Sequence, residues 1–297
     1  MDQIEAIMQR FRRGEYLQAR RLAEAVLALD SSSPAESAAA AQIAAEAAYQ
    51  LFDTQASISL ARRAIHLADS IGDLDRLGRA LFRLFGALIE AGESSTALEV
   101  GERFLAGMAD NWPHLEPELA AKAYSNLGMV SRNMRRYPDA LQAYWQALIR
   151  FQRAGHAEGE AVCRQQMAWL LVTTGQLDEA EEHLERSGAL VSPDIPGYVA
   201  LHQFTGEAML RLEQRRYAEA LALAEEVLAP GRPDVTPANR AVALYVAGMV
   251  SAATAQVSTA RMFLGMAREA AIASGLASVM NLVQRLDLAV RNAGPTE

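Results

Sequence analysis

Residues 121–148 read AKAYSNLGMVSRNMRRYPDALQAYWQAL, and this stretch decides the fold. Two helical faces are written into it. Tyr124, Leu127 and Gly128 share one face at three- and four-residue spacing, and Tyr137, Ala140, Tyr144 and Ala147 share the next. Gly128 and Ala140, twelve residues apart, are small where two helices must cross closely, and the aromatics fill the space beside the crossing. Pro138 stands where the second helix begins, a position that tolerates a missing N–H. The spacing predicts a helical hairpin.

The hairpin recurs along the chain. Its small anchor appears as Ala19, Ser57, Ala97, Ala140, Ala180, Ala220 and Ala260, at steps of 38, 40, 43, 40, 40 and 40 residues. Ala168, Ala208 and Gly248 again precede their anchors by twelve residues. A self-similar period of this length marks stacked helical repeats. Seven repeats, at 1–35, 38–72, 78–110, 121–155, 161–190, 201–230 and 241–275, occupy a single repeat domain over 1–292. Pro34, Pro113, Pro117, Pro193, Pro196, Pro230, Pro233 and Pro237 fall between repeats and spare the helix interiors. Residues 276–292, LASVMNLVQRLDLAVRN, form an amphipathic cap, and the tail 293–297 is expected to be disordered.

At these positions the sequence resembles the tetratricopeptide repeat (TPR) family, whose pattern sets a large apolar residue, Leu-Gly, Tyr, Ala, a large residue and Ala at fixed offsets. The resemblance covers residues 2 to about 270 and implies an all-α, right-handed solenoid that binds proteins or peptides. The repeat length and linkers such as LADSIGDLDRLGRA are similar to the longer-repeat branch found in kinesin light chains and bacterial peptide-sensing regulators. Two departures stand out. The first repeat has a short leading helix, and the third has Phe85 where a small residue belongs, beside Gly86, which leaves its register open by one residue.

Composition supports helix throughout. Of 297 residues, 51% are apolar but only 6% aromatic, and mean hydropathy is −0.01, so Ala and Leu carry the core. The net charge of −8 argues against a surface that tracks nucleic acid, and no direct nucleic-acid contact is expected. The N-terminal MDQIEAIMQRFRR carries charge where a signal peptide needs an apolar core, and no run reaches membrane-span length, so a cytoplasmic protein with no membrane contact is expected.

No catalytic, cofactor or metal site is assigned. Cys163 lies beside Arg164 early in a helix, where a buried structural thiol is the ordinary reading. The run DEAEEHLE sets Glu179 and His183 one turn apart, too few ligands for a metal and better explained as a solvated acidic helix start. Arg10, Arg12, Arg13, Arg20 and Arg21 form the densest positive cluster and read as decoration of the first hairpin.

The binding candidate is the trough lined by the leading helices. With each anchor at position twenty, positions two, five, six, nine, twelve and thirteen face inward. They give Gln42, Glu46, Tyr49 and Gln50 in the second repeat, and Arg79, Phe82, Arg83 and Glu90 in the third. The fourth supplies Lys122, Ser125, Asn126, Met129, Arg132 and Asn133, and the fifth Gln165, Gln166, Trp169 and Thr173. His202, Thr205 and Met209 follow in the sixth, then Tyr245 and Met249 in the seventh. Arg79, Arg83, Lys122 and Arg132 give an acidic chain a basic inner face, which predicts an acidic partner. Asn126, Asn133, Gln165 and Gln166 suit an extended peptide backbone, and Phe82, Met129, Trp169 and Tyr245 its side chains. The TPR resemblance implies that Asn126 holds that backbone, with Gln166 in the same place one repeat later.

The leading expectation is a non-catalytic scaffold that clasps an extended or acidic segment of a partner protein. The alternative is a peptide-sensing regulator acting on a separate response regulator or transcription factor. A homodimer through the apolar seventh repeat and terminal helix is a further expectation.

Overall fold

A computed structural model describes residues 3–29, 31–110, 117–192, 196–232 and 235–294. Among them are fifteen α-helices and no strand. Contacts divide the chain into an N-terminal lobe, Met1–Met134, and a C-terminal lobe, Arg135–Glu297. The first lobe holds α1 (Gln3–Arg12), α2 (Tyr16–Leu27), α3 (Pro34–Gln50), α4 (Thr54–Ser70), α5 (Leu74–Glu90), α6 (Ser94–Asp110) and α7 (Pro117–Asn133). The second holds α8 (Tyr137–Ala154), α9 (Ala157–Thr174), α10 (Leu177–Gly188), α11 (Gly197–Glu213), α12 (Tyr217–Leu228), α13 (Pro237–Ala253), α14 (Val257–Ser274) and α15 (Ala277–Asn292).

Local chemistry starts these helices. Ser33 and Glu36 form a reciprocal capping box around Pro34, while Asp53, Asp73 and Thr236 each accept the backbone N–H three residues on. Pro34, Pro117 and Pro237 open α3, α7 and α13 as first residues. The expected turns at Pro113, Pro193 and Pro233 lie outside the described residues, as do residues 295–297 of the tail.

Each leading helix ends in the same left-handed turn, five residues before the anchor. Gly14, Phe52, Gly92, Arg135, Gly175, Arg215 and Ala255 all have positive φ. At six of these turns the next N–H reaches back five residues: Glu15 to Arg10, Asp53 to Ala48, Glu93 to Leu88, Gln176 to Leu171, Arg216 to Arg211 and Gln256 to Ser251, at 2.8–3.1 Å. This is the Schellman closure, which satisfies the last carbonyls of the helix. Glycine adopts it without strain, whereas Phe52, at φ 58° and 88% exposed, takes no compensating burial. Phe52→Gly is expected to stabilise the fold by about 0.5–1 kcal/mol, read as a higher urea midpoint. A lower midpoint would mean that the ring makes a contact worth more than the strain.

The third repeat is in register. Phe85 is fully buried twelve residues before Ala97, and Gly101 on α6 makes room for it: a Cβ built at Gly101 would lie 2.6 Å from the ring. In the fourth, fifth and seventh repeats the sizes are reversed, with small Gly128, Ala168 and Gly248 at the place of Phe85 and large Tyr144, Leu184 and Leu264 at the place of Gly101, while the first repeat, with Ile7 and Ala23, follows the same order as the third. Phe85 is therefore an exchange of bulk between two helices, not a slip. At the other end α15 packs on α13 and α14 and buries Val279, Leu282, Val283, Leu286 and Val290. That i, i+3, i+4, i+7, i+11 stripe is the apolar face of an amphipathic helix.

Candidate functional site

Four leading helices of the N-terminal lobe meet around one cavity of about 270 Å³. Met8 and Phe11 of α1, Ile43 of α3, Phe82 of α5 and Leu119 of α7 make its walls apolar, and Gln42, Glu46, Arg79 and Arg83 add the polar groups. Phe82 is held in place by the tilted ring of Phe104, centroids 5.5 Å apart. Gln42, Glu46, Arg79, Phe82 and Arg83 were legible as inward positions. Met8 and Phe11 were missed, although Ile4, Ile7, Met8 and Phe11 already carried helical spacing.

The charges in the cavity are paired. Arg83 grips Glu46 through two parallel bonds of 2.6 Å, Nε to Oε2 and Nη2 to Oε1, and lies 3.9 Å above the Tyr49 ring. This fork and stack pre-organise the guanidinium. Burial and the neighbouring Glu90 push the Tyr49 hydroxyl up to about 12, so it stays protonated. Arg79 meets Asp75 at 3.2 Å and Lys122 meets Glu118 at 2.5 Å. Arg79, Arg83 and Lys122, expected as part of a basic inner face, each face a carboxylate of their own lobe. Of the N-terminal arginines, Arg10, Arg12 and Arg20 are likewise paired, with Glu15, Glu5, and both Glu24 and Asp53.

The other expected groove residues lie outside this cavity. Asn126, Met129, Arg132 and Asn133 sit half-buried on α7 with the exposed Lys122, and the Asn133 side-chain oxygen Oδ1 is buried without a hydrogen-bond partner among the described residues. In the C-terminal lobe Gln166, Trp169 and His202 are half-buried. Gln165 and Tyr245 require correction, because both are buried and offer nothing to a groove. The Gln165 amide donates to Ser187 Oγ and to the Val199 carbonyl, each at 3.0 Å, while Gln203 donates to the Leu184 carbonyl at 2.8 Å. This buried polar layer ties α9, α10 and α11 together. Tyr245 lies under the cap, with the Arg285 guanidinium of α15 5.8 Å from its ring. The physical reason is shared: α9 packs on α11, α11 on α13 and α13 on α15, closing positions that a single hairpin would leave open.

Cys163 is buried, its thiol directed at the Tyr144 carbonyl at 3.2 Å and pushed up to about 12 by burial, as a structural cysteine should be. No group of three or more His, Cys, Asp or Glu residues is arranged to hold a metal among the described residues, and none of their helices is long and apolar enough to cross a membrane. His183 is held below its ordinary pKa of 6.5 by burial and then by Arg164, and His202 by burial alone. The unfolded chain therefore binds more protons below pH 6.5, so this stabilisation is complete above about that value and falls as pH drops through the folded values. Melting temperature should decline on acidification from about pH 6.5, and His183→Gln with His202→Gln should flatten that decline. An unchanged slope in the double variant would contradict it.

Residues 119–190 match the tetratricopeptide repeat family. No match was found among curated proteins. The fold is similar to the crystal structure of a tetratricopeptide repeat protein from Parabacteroides merdae ATCC 43184, with a TM-score of 0.67 and 17% identity over 98% of both chains. It is also similar to a Rap protein complexed with competence and sporulation factor, TM-score 0.62 and 16% identity over 96% of this chain and 74% of that one. The apo form of RapI aligns over 98% of this chain and 97% of its own at TM-score 0.56 and 16% identity. The class is that of an all-α helical-repeat solenoid.

Proposed function

We propose that the chain is a cytoplasmic, non-catalytic protein-interaction scaffold whose N-terminal-lobe cavity anchors an extended segment of a partner. The observation that carries this reading is a preformed apolar cavity on the leading-helix face, rimmed by Gln42 and the Arg83–Glu46 pair. Its volume of about 270 Å³ falls just below the roughly 300–1,000 Å³ of small-molecule sites and suits one or two large apolar side chains. Glu46 gives both oxygens to Arg83, which leaves it a poor general base. An acidic residue beside the anchor is accommodated by exchange, the partner's carboxylate replacing Glu46 on Arg83.

Two substitutions at Gln42 test the cavity. Gln42→Trp fills it, while Gln42→Ala widens it and leaves the walls intact. A partner captured from native extract by the wild type and by Gln42→Ala, but lost from Gln42→Trp at unchanged melting temperature, is the expected result. Equal capture by all three would overturn the reading.

The likeness to a Rap protein solved with competence and sporulation factor supports the second reading, a receptor for a short peptide that passes its signal to a separate protein. A smaller radius of gyration in small-angle scattering on adding a peptide would favour it over a static scaffold. Self-association rests on Met262 and Met266 of α14 and Leu288 of α15, all exposed, and a light-scattering mass decides it.

A further inference from the structure

We infer that the outward face of α2, in the first repeat, docks an amphipathic helix of a partner protein that carries acidic side chains beside its apolar seam. Three residues past each anchor the later repeats place Leu60, Val100, Ala143, His183, Leu223 and Phe263, every one of them buried or half-buried. Two of these repeats show what lies over that face. Leu60 of α4 packs against the core that the first hairpin shares with α3, and Arg63, one turn on, donates to the Leu27 carbonyl of α2 at 3.0 Å. His183 of α10 meets Trp145 of α8, ring centroids 5.7 Å apart. In both, the trailing helix of the hairpin before closes the face.

The first repeat presents the same positions, and among the described residues they stand open. Leu22 is 40% exposed, Leu29, just past the helix end, is 52% exposed, and Ala25 between them is exposed as well. At i, i+3 and i+7 the three share one face. An apolar stripe here departs from the polar outer face that a terminal repeat needs for solubility, and it has the form of a seat for one more helix.

Charge beside the stripe names the occupant. Arg21 stands one turn before Ala25, is exposed, and forms no ion pair or hydrogen bond among the described residues. No later repeat has a cation at this place, which holds Ser59, Glu99, Gln142, Glu182, Ala222 and Met262. The hairpin's own described carboxylates are already engaged, Glu5 by Arg12, Glu15 by Arg10 and Glu24 by Arg20. Its other two acids, Asp2 and Asp30, lie outside the described residues. A partner helix with Leu or Ala along its seam and Glu beside it covers the stripe and supplies the carboxylate that Arg21 lacks.

The probe is a fluorescein-labelled helical peptide with a Leu and Ala seam and a Glu polar face, compared by fluorescence anisotropy on the full chain with a peptide of the same seam and a Lys face. Saturable binding of the Glu peptide is expected, although a net charge of −8 favours the Lys peptide in any non-specific contact. Leu22→Gln with Leu29→Gln should weaken it at least about tenfold. Both side chains are exposed, so the melting temperature should hold. Arg21→Glu should turn the preference towards the Lys peptide, a reversal that loss of fold cannot produce. Gln42→Trp should leave binding unchanged, which keeps this face distinct from the N-terminal-lobe cavity. Absent or non-saturable binding, equal binding of the two peptides, or indifference to Arg21 or to the leucines would overturn the proposal. So would anionic vesicles competing through the same residues, or a wild-type dimer that the leucine variant turns into a monomer, which would make a second copy the occupant.

Discussion

Phe85→Ala is expected to cost the N-terminal lobe about 3–5 kcal/mol, the range for emptying a buried phenylalanine site. The ring is fully buried, and Gly101 leaves no side chain able to move into the space. Gly101→Ala should cost about 1–3 kcal/mol by the opposite route, forcing a methyl group into a ring 2.6 Å away. The informative variant is the exchange Phe85→Ala with Gly101→Leu, which recreates the small-leading, large-trailing arrangement of Ala168 with Leu184. It should recover part of the loss in urea unfolding, a coupling that additive single changes do not show. Strict additivity would mean that the two positions do not share one space.

Leu286→Ala should cost about 2–5 kcal/mol at the other end of the chain. Leu286 is fully buried over Gly248, where a built Cβ would stand 2.7 Å from Leu286 Cδ2. The cap packs on α13 and α14 and reaches α11 through the Arg285–Glu213 ion pair, so the loss should be local, since repeats depend on their neighbours alone. Amide hydrogen exchange is expected to accelerate across α13–α15 while α3 and α5 keep their protection. Uniform acceleration over both lobes would contradict nearest-neighbour stability.

The repeat was legible because its signal is local. Anchors such as Ala140 and Ala180, and their small partners twelve residues earlier, lie within one hairpin, and the proline positions independently marked its ends. Phe85 showed as an anomaly, but its explanation, Gly101, stands on the other helix of the hairpin and follows no pattern of its own. The turns were partly legible: Gly14, Gly92 and Gly175 announce a left-handed residue, whereas Phe52, Arg135, Arg215 and Ala255 adopt the same φ against their preference.

The site was harder to read because it forms between repeats. Arg83 and Glu46 are 37 residues apart, and nothing in either repeat alone shows that the cation is already neutralised. Gln165 and Tyr245 occupy positions equivalent to open ones elsewhere, yet α11 and α15 cover them. Inward periodicity gives the direction of a side chain, while its exposure depends on how closely the next leading helix approaches.

The most direct measurement is amide hydrogen exchange on the full chain with and without the segment of the partner that the wild type captures. Added protection is expected over α1, α3 and α5, around Met8, Ile43 and Phe82, and should vanish in Gln42→Trp. Protection confined to helices that do not line the cavity, or surviving in Gln42→Trp, would contradict the cavity as the anchor.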